Sequence, residues 1–254
     1  MRAVLLPVCL SLLGCAHGFD RDALRERLND GTLQINDKAI AEARELRPQL
    51  KLPCRVALYL KPPHDRDWRW APEDKAQFEA LAATLKNEGV ASDVLALPEM
   101  LAGKGELKDL RLAAAQCGAD VLFVLHGAAQ TDSYKNFASV LNLTVVGGYV
   151  VPGSHRDTLF MLEGVLIDVD NGYVYGGVQA EGVGKIVRPT FVIEDRDAVA
   201  LAKKAAVAQF ATETLTRMKR LAVVPFISDT NGRPVSAFEL PPAVQPTPPA
   251  LQKP

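Results

Sequence analysis

This chain of 254 residues lacks a basic surplus, a membrane-spanning run and any clustered set of metal ligands. Lysine and arginine number 29 against 30 aspartate and glutamate, a formal net charge of −1. That balance gives no electrostatic footprint for nucleic acid. The histidines His17, His64, His126 and His155 share no short spacing with one another or with a cysteine, so no zinc pattern exists. No Gly-x-Ser-x-Gly elbow occurs, and no pair of carboxylates is singled out by position. Gly182-Val-Gly-Lys185 only superficially resembles a P-loop, because Gln179 stands where the first glycine belongs and Ile186 replaces the Ser or Thr. Asp168-Val-Asp170-Asn-Gly172 opens like a calcium loop, but the acidic closing ligand would fall on Gln179 and the glycine comes one place early. A tight hairpin turn accounts for the same residues. No catalytic residue, cofactor or metal is expected from these patterns.

What is present begins at the amino terminus. Met1-Arg2 is followed by an apolar run, Ala3 to Leu13, and then by Leu12-Leu13-Gly14-Cys15. One positive charge, a short apolar core and a small residue before the cut make a secretory signal. The run is too short to span a bilayer, which takes about 20 residues. A cysteine directly after the small residue is a lipobox, so residues 1–14 read as a signal peptide and Cys15 as the lipidated terminus. Acyl chains stabilise anchoring by about 0.8 kcal/mol per buried CH₂. Ala16, where Asp would retain the protein at the inner membrane of a Gram-negative cell, points to the periplasmic face of the outer membrane. Cys9 leaves with the signal. Cys54 and Cys117 then remain in an oxidising compartment, each just before an expected strand; if those strands are parallel neighbours both thiols lie at one edge of the sheet and could bridge, the alternative being two separate, buried free cysteines.

Residues 15–53 read as a polar, helical lead-in, with Asp20 and Asp37 placed to cap two helices. The single domain, 54–222, opens on Arg55-Val-Ala-Leu-Tyr-Leu60, a central strand. Pro72 starts a helix with Phe78, Leu81, Ala82 and Leu85 on one face, ended by Gly89. Val90–Leu97 is a second strand. The helix carrying Leu107, Leu110 and Ala114 then leads to a third strand, Asp120–Leu125. This order predicts an α/β fold with a parallel βαβαβ core in a mixed sheet. Phe137–Val151, Thr158–Val169 and Tyr173–Val183 extend it as an antiparallel meander, and Asp195 caps a last helix to about Leu221 that packs across the sheet. Residues 223–254 are Pro-rich, with Pro241-Pro242 and Pro248-Pro249, and are predicted to be disordered.

Gly118-Ala-Asp-Val-Leu-Phe-Val-Leu125, Asn142-Leu-Thr-Val-Val-Gly-Gly-Tyr-Val-Val151 and Leu166-Ile-Asp-Val-Asp-Asn-Gly172 together resemble the rhombotarget lipoprotein family over roughly residues 52 to 222. The Val-Gly-Gly-Tyr-Val-Val stretch is the most specific part. More distantly, the segments are similar to the α/β domains of the TolB amino-terminal and curli-export lipoprotein type. The resemblance implies an envelope lipoprotein and supplies no activity. The chain departs from the family in its tail, which ends Gln252-Lys-Pro254 without a glycine run and hydrophobic span.

The loop His64-Asp-Arg-Asp-Trp-Arg-Trp70 is the least ordinary stretch. Trp68, Arg69 and Trp70 are the residue types that dominate interface hot spots, which makes them a partner-facing site. The competing expectation is that a tryptophan folds back over the helix at Pro72 under a stacked arginine. The functional expectation is a membrane-anchored, non-enzymatic binding or assembly module that meets an envelope protein or a second copy of itself. Its rival is an enzyme using His126 and nearby carboxylates at the carboxyl edge of the sheet, where open α/β sheets bind ligands.

Overall fold

The computed structural model describes residues 18–28, 37–63, 68–135, 152, 154–189 and 191–223. The expected signal peptide over residues 1–14, Cys15, the strand expected over Phe137–Val151 and residues 224–254 of the Pro-rich tail lie outside the described residues.

The described residues form five α-helices, a short 3-10 helix at Glu99–Leu101 and one mixed five-stranded sheet. In chain order the α-helices and strands are α1 (Arg21–Leu28), α2 (Asp37–Glu45), β1 (Cys54–Leu60), α3 (Pro72–Asn87), β2 (Ala91–Ala96), α4 (Leu107–Gln116), β3 (Val121–Lys135), β4 (Ser154–Asp168), β5 (Val174–Arg188) and α5 (Asp195–Val223). The sheet order is β2-β1-β3-β4-β5. β1 pairs in parallel with β2 and β3, and the β3–β4 and β4–β5 pairs are antiparallel. β1 is buried on both faces, which is why its sequence is a continuous apolar run with no alternation. Pro72 opens α3, and Gly89 at φ 68° closes it in the left-handed conformation that costs a glycine least.

The two faces of the sheet carry different cores. On one, α3 and α5 cover Val56, Leu58, Phe123, Phe160, Leu162 and Val178. On the other, α4 covers Ala57, Tyr59 and Leu122. Further along that second face, Leu24 and Leu28 of α1 cover Ala128, Leu159 and Met161. Part of the lead-in is therefore packed onto the domain. Asp20 caps α1 as its sequence suggests, accepting the N–H groups of Asp22 and Ala23 at 3.1 and 2.9 Å.

β3 is much longer than the segment ending at Leu125. Its pairing with β1 stops there, but its pairing with β4 continues to Lys135. The added half reads His-Gly-Ala-Ala-Gln-Thr-Asp-Ser-Tyr-Lys and carries no apolar alternation, because small residues are what the neighbours require. A Cβ on Gly127 would stand 2.6 Å from a ring carbon of Phe160 and 3.1 Å from Trp68. β3, β4 and β5 thus form a three-stranded arm that runs beyond the parallel half of the sheet.

α5 packs tightly against β5 at two glycines. A Cβ on Gly182 would lie 2.1 Å from the Ala202 carbonyl oxygen, and one on Gly184 would lie 2.1 Å from that of Ala198. These are the glycines of the P-loop-like string, and they serve backbone-to-backbone packing. Gly164 on β4 similarly admits the stacked rings of Phe123 and Phe210, 5.6 Å apart. Gly182→Val should destabilise the fold by about 3 kcal/mol, since helix and strand cannot both stay in place. Val183→Ala, on the opposite face of the same strand, should change stability by only about 0.5 kcal/mol. Chemical denaturation of the two variants checks the difference, and equal midpoints would contradict it.

Candidate functional site

The tryptophan loop returns to the domain at two depths. Trp68 is buried, with its ring edge-on to Phe160 at 4.9 Å and to Trp70 at 4.8 Å. It belongs to the core and is not part of a partner surface, which corrects the expectation for that residue. Gly127 makes the space it fills. Trp70 is half-buried, meets Phe78 at 5.7 Å, and donates its indole N–H to the Lys61 carbonyl at 2.9 Å. Arg69 is exposed between them. The cation over Trp68 is Lys203, its Nζ 5.9 Å from the ring centroid, so a lysine of α5 takes the place expected for an arginine.

Lys203 also holds the loop. Its ammonium pairs with the Asp74 carboxylate at 2.6 Å and donates to the Arg69 carbonyl at 2.6 Å, with both side chains almost fully enclosed. The same Asp74 oxygen accepts the Ala71 N–H at 2.7 Å, closing the first turn of α3. Two buried charges are tolerated because their hydrogen-bonding capacity is used by each other, two backbone groups and an indole face. The sequence carried a signal for this pair. Lys203 interrupts the apolar stripe of α5 between Val199 and Val207, where a lysine has no reason to be unless something inside the protein meets it.

Beside this junction, a cleft of about 660 Å³ opens at the carboxyl ends of β1 and β2. Leu58, Leu60, Trp70, Phe78, Val94 and Pro98 give it apolar walls. Arg69, Lys75, Glu79 and Glu99 supply charge of both signs around it. Burial, with Glu99 nearby, holds the Tyr59 hydroxyl above the usual phenol range, so it stays protonated. Met100, the residue after Glu99, is 89% exposed. The cleft has the volume and apolar character of a ligand-binding site. Its described lining contains no histidine, cysteine or serine. Sequence reasoning located Arg69 and Trp70 but missed the α3 and β2 walls, whose polar residues follow ordinary helix and strand patterns.

His126 lies elsewhere. It sits within β3, opposite Glu163 on β4, and α1 covers it. It is 8% exposed, with Nδ1 3.3 Å from the Leu28 carbonyl oxygen. Glu163 accepts a 2.6 Å bond from Gln179, and burial holds its carboxyl above the ordinary range. The expectation of His126 at an open strand end fails because the strand continues past it. His155 stacks on Tyr134 at 4.7 Å. His17 and His64 lie outside the described residues.

Asp168 closes the β4–β5 turn. One carboxylate oxygen accepts the N–H groups of Asp170 and Asn171, and the other accepts the Tyr175 hydroxyl at 2.5 Å. That hydroxyl in turn accepts the N–H groups of Gln49 and Leu50. Burial and Asp168 push it well above the usual phenol range. The aspartate's oxygens are therefore engaged in tying the lead-in to the turn, with Gly172 at φ 80°. No group of three or more acidic, histidine or cysteine side chains among the described residues could hold a metal ion.

Cys54 and Cys117 are free thiols, which corrects the disulfide reading. β1 and β3 are neighbours as that reading required, but the two thiols are not bonded. Cys54 is buried on the α3 face, its thiol 3.8 Å from the Val90 carbonyl, whereas Cys117 caps α4 on the other face. Burial pushes the Cys54 thiol up to about 12.

No protein-family model matches the chain, and no curated protein matches it in sequence. Among solved structures it is similar to the PelC dodecamer of Paraburkholderia phytofirmans, at 15% identity over 65% of this chain and 89% of that one, with a TM-score of 0.31. Hypothetical protein CT253 of Chlamydia trachomatis matches at 8% identity over 65% and 97%, with a TM-score of 0.36. Lipoprotein GNA1162 of Neisseria meningitidis matches at 13% identity over 63% and 99%, with a TM-score of 0.31. Likenesses this distant carry no functional conclusion. The rhombotarget resemblance thus rests on the sequence segments that suggested it.

Two outcomes follow from this geometry. Differential alkylation at pH 8 should label Cys117 in the native protein and Cys54 only after denaturation; protection of both until reduction would contradict the free thiols. Lys203→Met, which leaves Asp74 buried and unpaired, should cost about 3 to 5 kcal/mol, and adding Asp74→Asn should recover part of it. Denaturation midpoints test this, and an unchanged Lys203→Met variant would remove the pair from the account.

Proposed function

We propose that this chain is an exported bacterial envelope lipoprotein, anchored through an acylated Cys15, whose α/β domain binds a partner without catalysing a reaction. The signal and lipobox at residues 1–15 support the address, and Ala16 supports the periplasmic face of the outer membrane. No helix among the described residues is long and apolar enough to cross a membrane, so the lipid supplies the attachment in this reading. The rhombotarget resemblance, with its lipoprotein character, agrees with that address on sequence grounds.

The observation that carries the binding role is the cleft between α3 and β2. Its apolar walls accept side chains of a partner segment, and its mixed charges allow a polar rim to form around them, the usual anatomy of a protein-binding surface. In this reading Trp70 and Arg69, which line the cleft, would face the partner as parts of a concave site. Self-association through β5 is the less favoured form of assembly. Among the described strands β5 lies at the sheet edge, but α5 side chains already engage it: Arg217 donates to the Gly177 carbonyl at 2.8 Å, and Gln209 accepts the Glu181 N–H at 3.4 Å.

The apolar dye anilinonaphthalene sulfonate serves as the probe of the cleft. The protein should bind it with a saturable rise in fluorescence, and Ala82→Phe, which fills the cleft from α3, should abolish that rise while leaving the far-ultraviolet dichroism unchanged. Absence of saturable binding by the parent protein would overturn the cleft as an apolar site.

A further inference from the structure

The docked lead-in fixes which end of the domain faces the membrane. Gly18 donates its N–H to Asp132 at 3.3 Å, Asp20 donates to Gln130 at 2.9 Å, and Arg21 pairs with Glu181 at 3.2 Å. α1 then runs back along β3, so that Leu28 reaches His126. With Leu24 and Leu28 buried beneath it, the helix is held at both ends and along its length. Gly18 follows Cys15 by three residues, a span of at most about 11 Å. A lipid on Cys15 therefore cannot lie far from Asp132, which is near the outer end of the arm formed by β3, β4 and β5.

That end also carries apolar side chains that remain about half exposed. Val187, close to the end of β5, is 47% exposed, and Phe191 and Val192, in the turn leading to α5, are 57% and 46% exposed. Lys185 and Arg188 stand among them, partly exposed and paired with Asp157 and Asp197. Exposed aliphatic and aromatic groups interleaved with long cationic side chains suit the headgroup layer of a bilayer, where stems and rings enter and charges stay wet.

We propose that the tip of the three-stranded arm rests on the membrane surface, with Val187, Phe191 and Val192 against the lipid. This inference depends on the lipidation of Cys15 proposed above. The tip and the Asp168–Gly172 turn lie at opposite ends of β4, about 48 Å apart along the strand. The cleft at the ends of β1 and β2 opens on the same side as the tip but is set back by the added length of β3, about 34 Å. A partner would then reach it within the space between the domain and the bilayer.

The test uses the full chain, made with its signal and placed in phosphatidylethanolamine–phosphatidylglycerol vesicles that carry a nitroxide on the headgroup. A bimane is attached at Val187→Cys or at Asp170→Cys, each in a Cys117→Ser background, and detergent-phase partitioning of the same samples reports the lipid. Quenching several-fold stronger at position 187 than at 170 is expected. Adding Leu24→Asp and Leu28→Asp should equalise the two while the protein stays on the vesicles, because the anchor remains and only the docking is lost. Phe191→Asp should reduce quenching at 187 without detaching the protein. Equal quenching in the lipidated parent would overturn the tip contact and leave the anchor standing. Failure to enter the detergent phase would overturn the anchor, and the tip contact with it.

Discussion

Backbone meets backbone where α5 crosses β5, and the junction that fastens the tryptophan loop is built on that contact. Gly182 and Gly184 remove the side chains that would hold helix and strand apart. The helix settles against the sheet, which brings Lys203 level with the start of α3. There it finds Asp74 and the Arg69 carbonyl. The tryptophan loop is thereby fastened with Trp68 inside and Trp70 on the cleft wall. A wider helix–sheet spacing would leave Lys203 short of its partners and the cleft without one side.

The opposite face of the sheet has a separate task. α4 completes the core of the parallel half, and α1 closes the outer half of the arm. If Cys15 carries the proposed lipid, α1, which follows it closely in the chain, both seals this small core and ties the domain to its anchor. In this account, packing energy and orientation at the membrane share the same contacts. Leu24 and Leu28 contribute hydrophobic burial, while Asp132, Gln130 and Glu181 set the direction of the chain. A lipoprotein domain on a free tether would lack such a preference.

Much of the fold was legible in the sequence because its signals are local. Pro72 and Gly89 mark the limits of α3, Asp168 to Gly172 marks a turn, and the apolar run after Arg55 marks a buried central strand. The length of β3 was not legible. Its second half is built of small and polar residues whose suitability depends on Trp68 and Phe160, which arrive from distant parts of the chain. The disulfide fails for a related reason: β1 and β3 are neighbours as the sequence implies, but where Cys117 sits depends on how α4 packs. The candidate site was half legible. Arg69 and Trp70 were conspicuous by composition, whereas Lys203 was conspicuous only as a break in an apolar stripe, and its meaning required Asp74 to be placed opposite.

The proposed envelope role requires Cys15 to be the lipidated start of the mature chain. Intact mass of the protein extracted from membranes, beside a Cys15→Ala variant, tests this most directly. A chain beginning at Cys15 and carrying a diacylglyceryl mass, with the variant unprocessed or released, is the predicted result. An unmodified full-length chain recovered in the soluble fraction would contradict it, together with the envelope role and the orientation drawn from the docked α1.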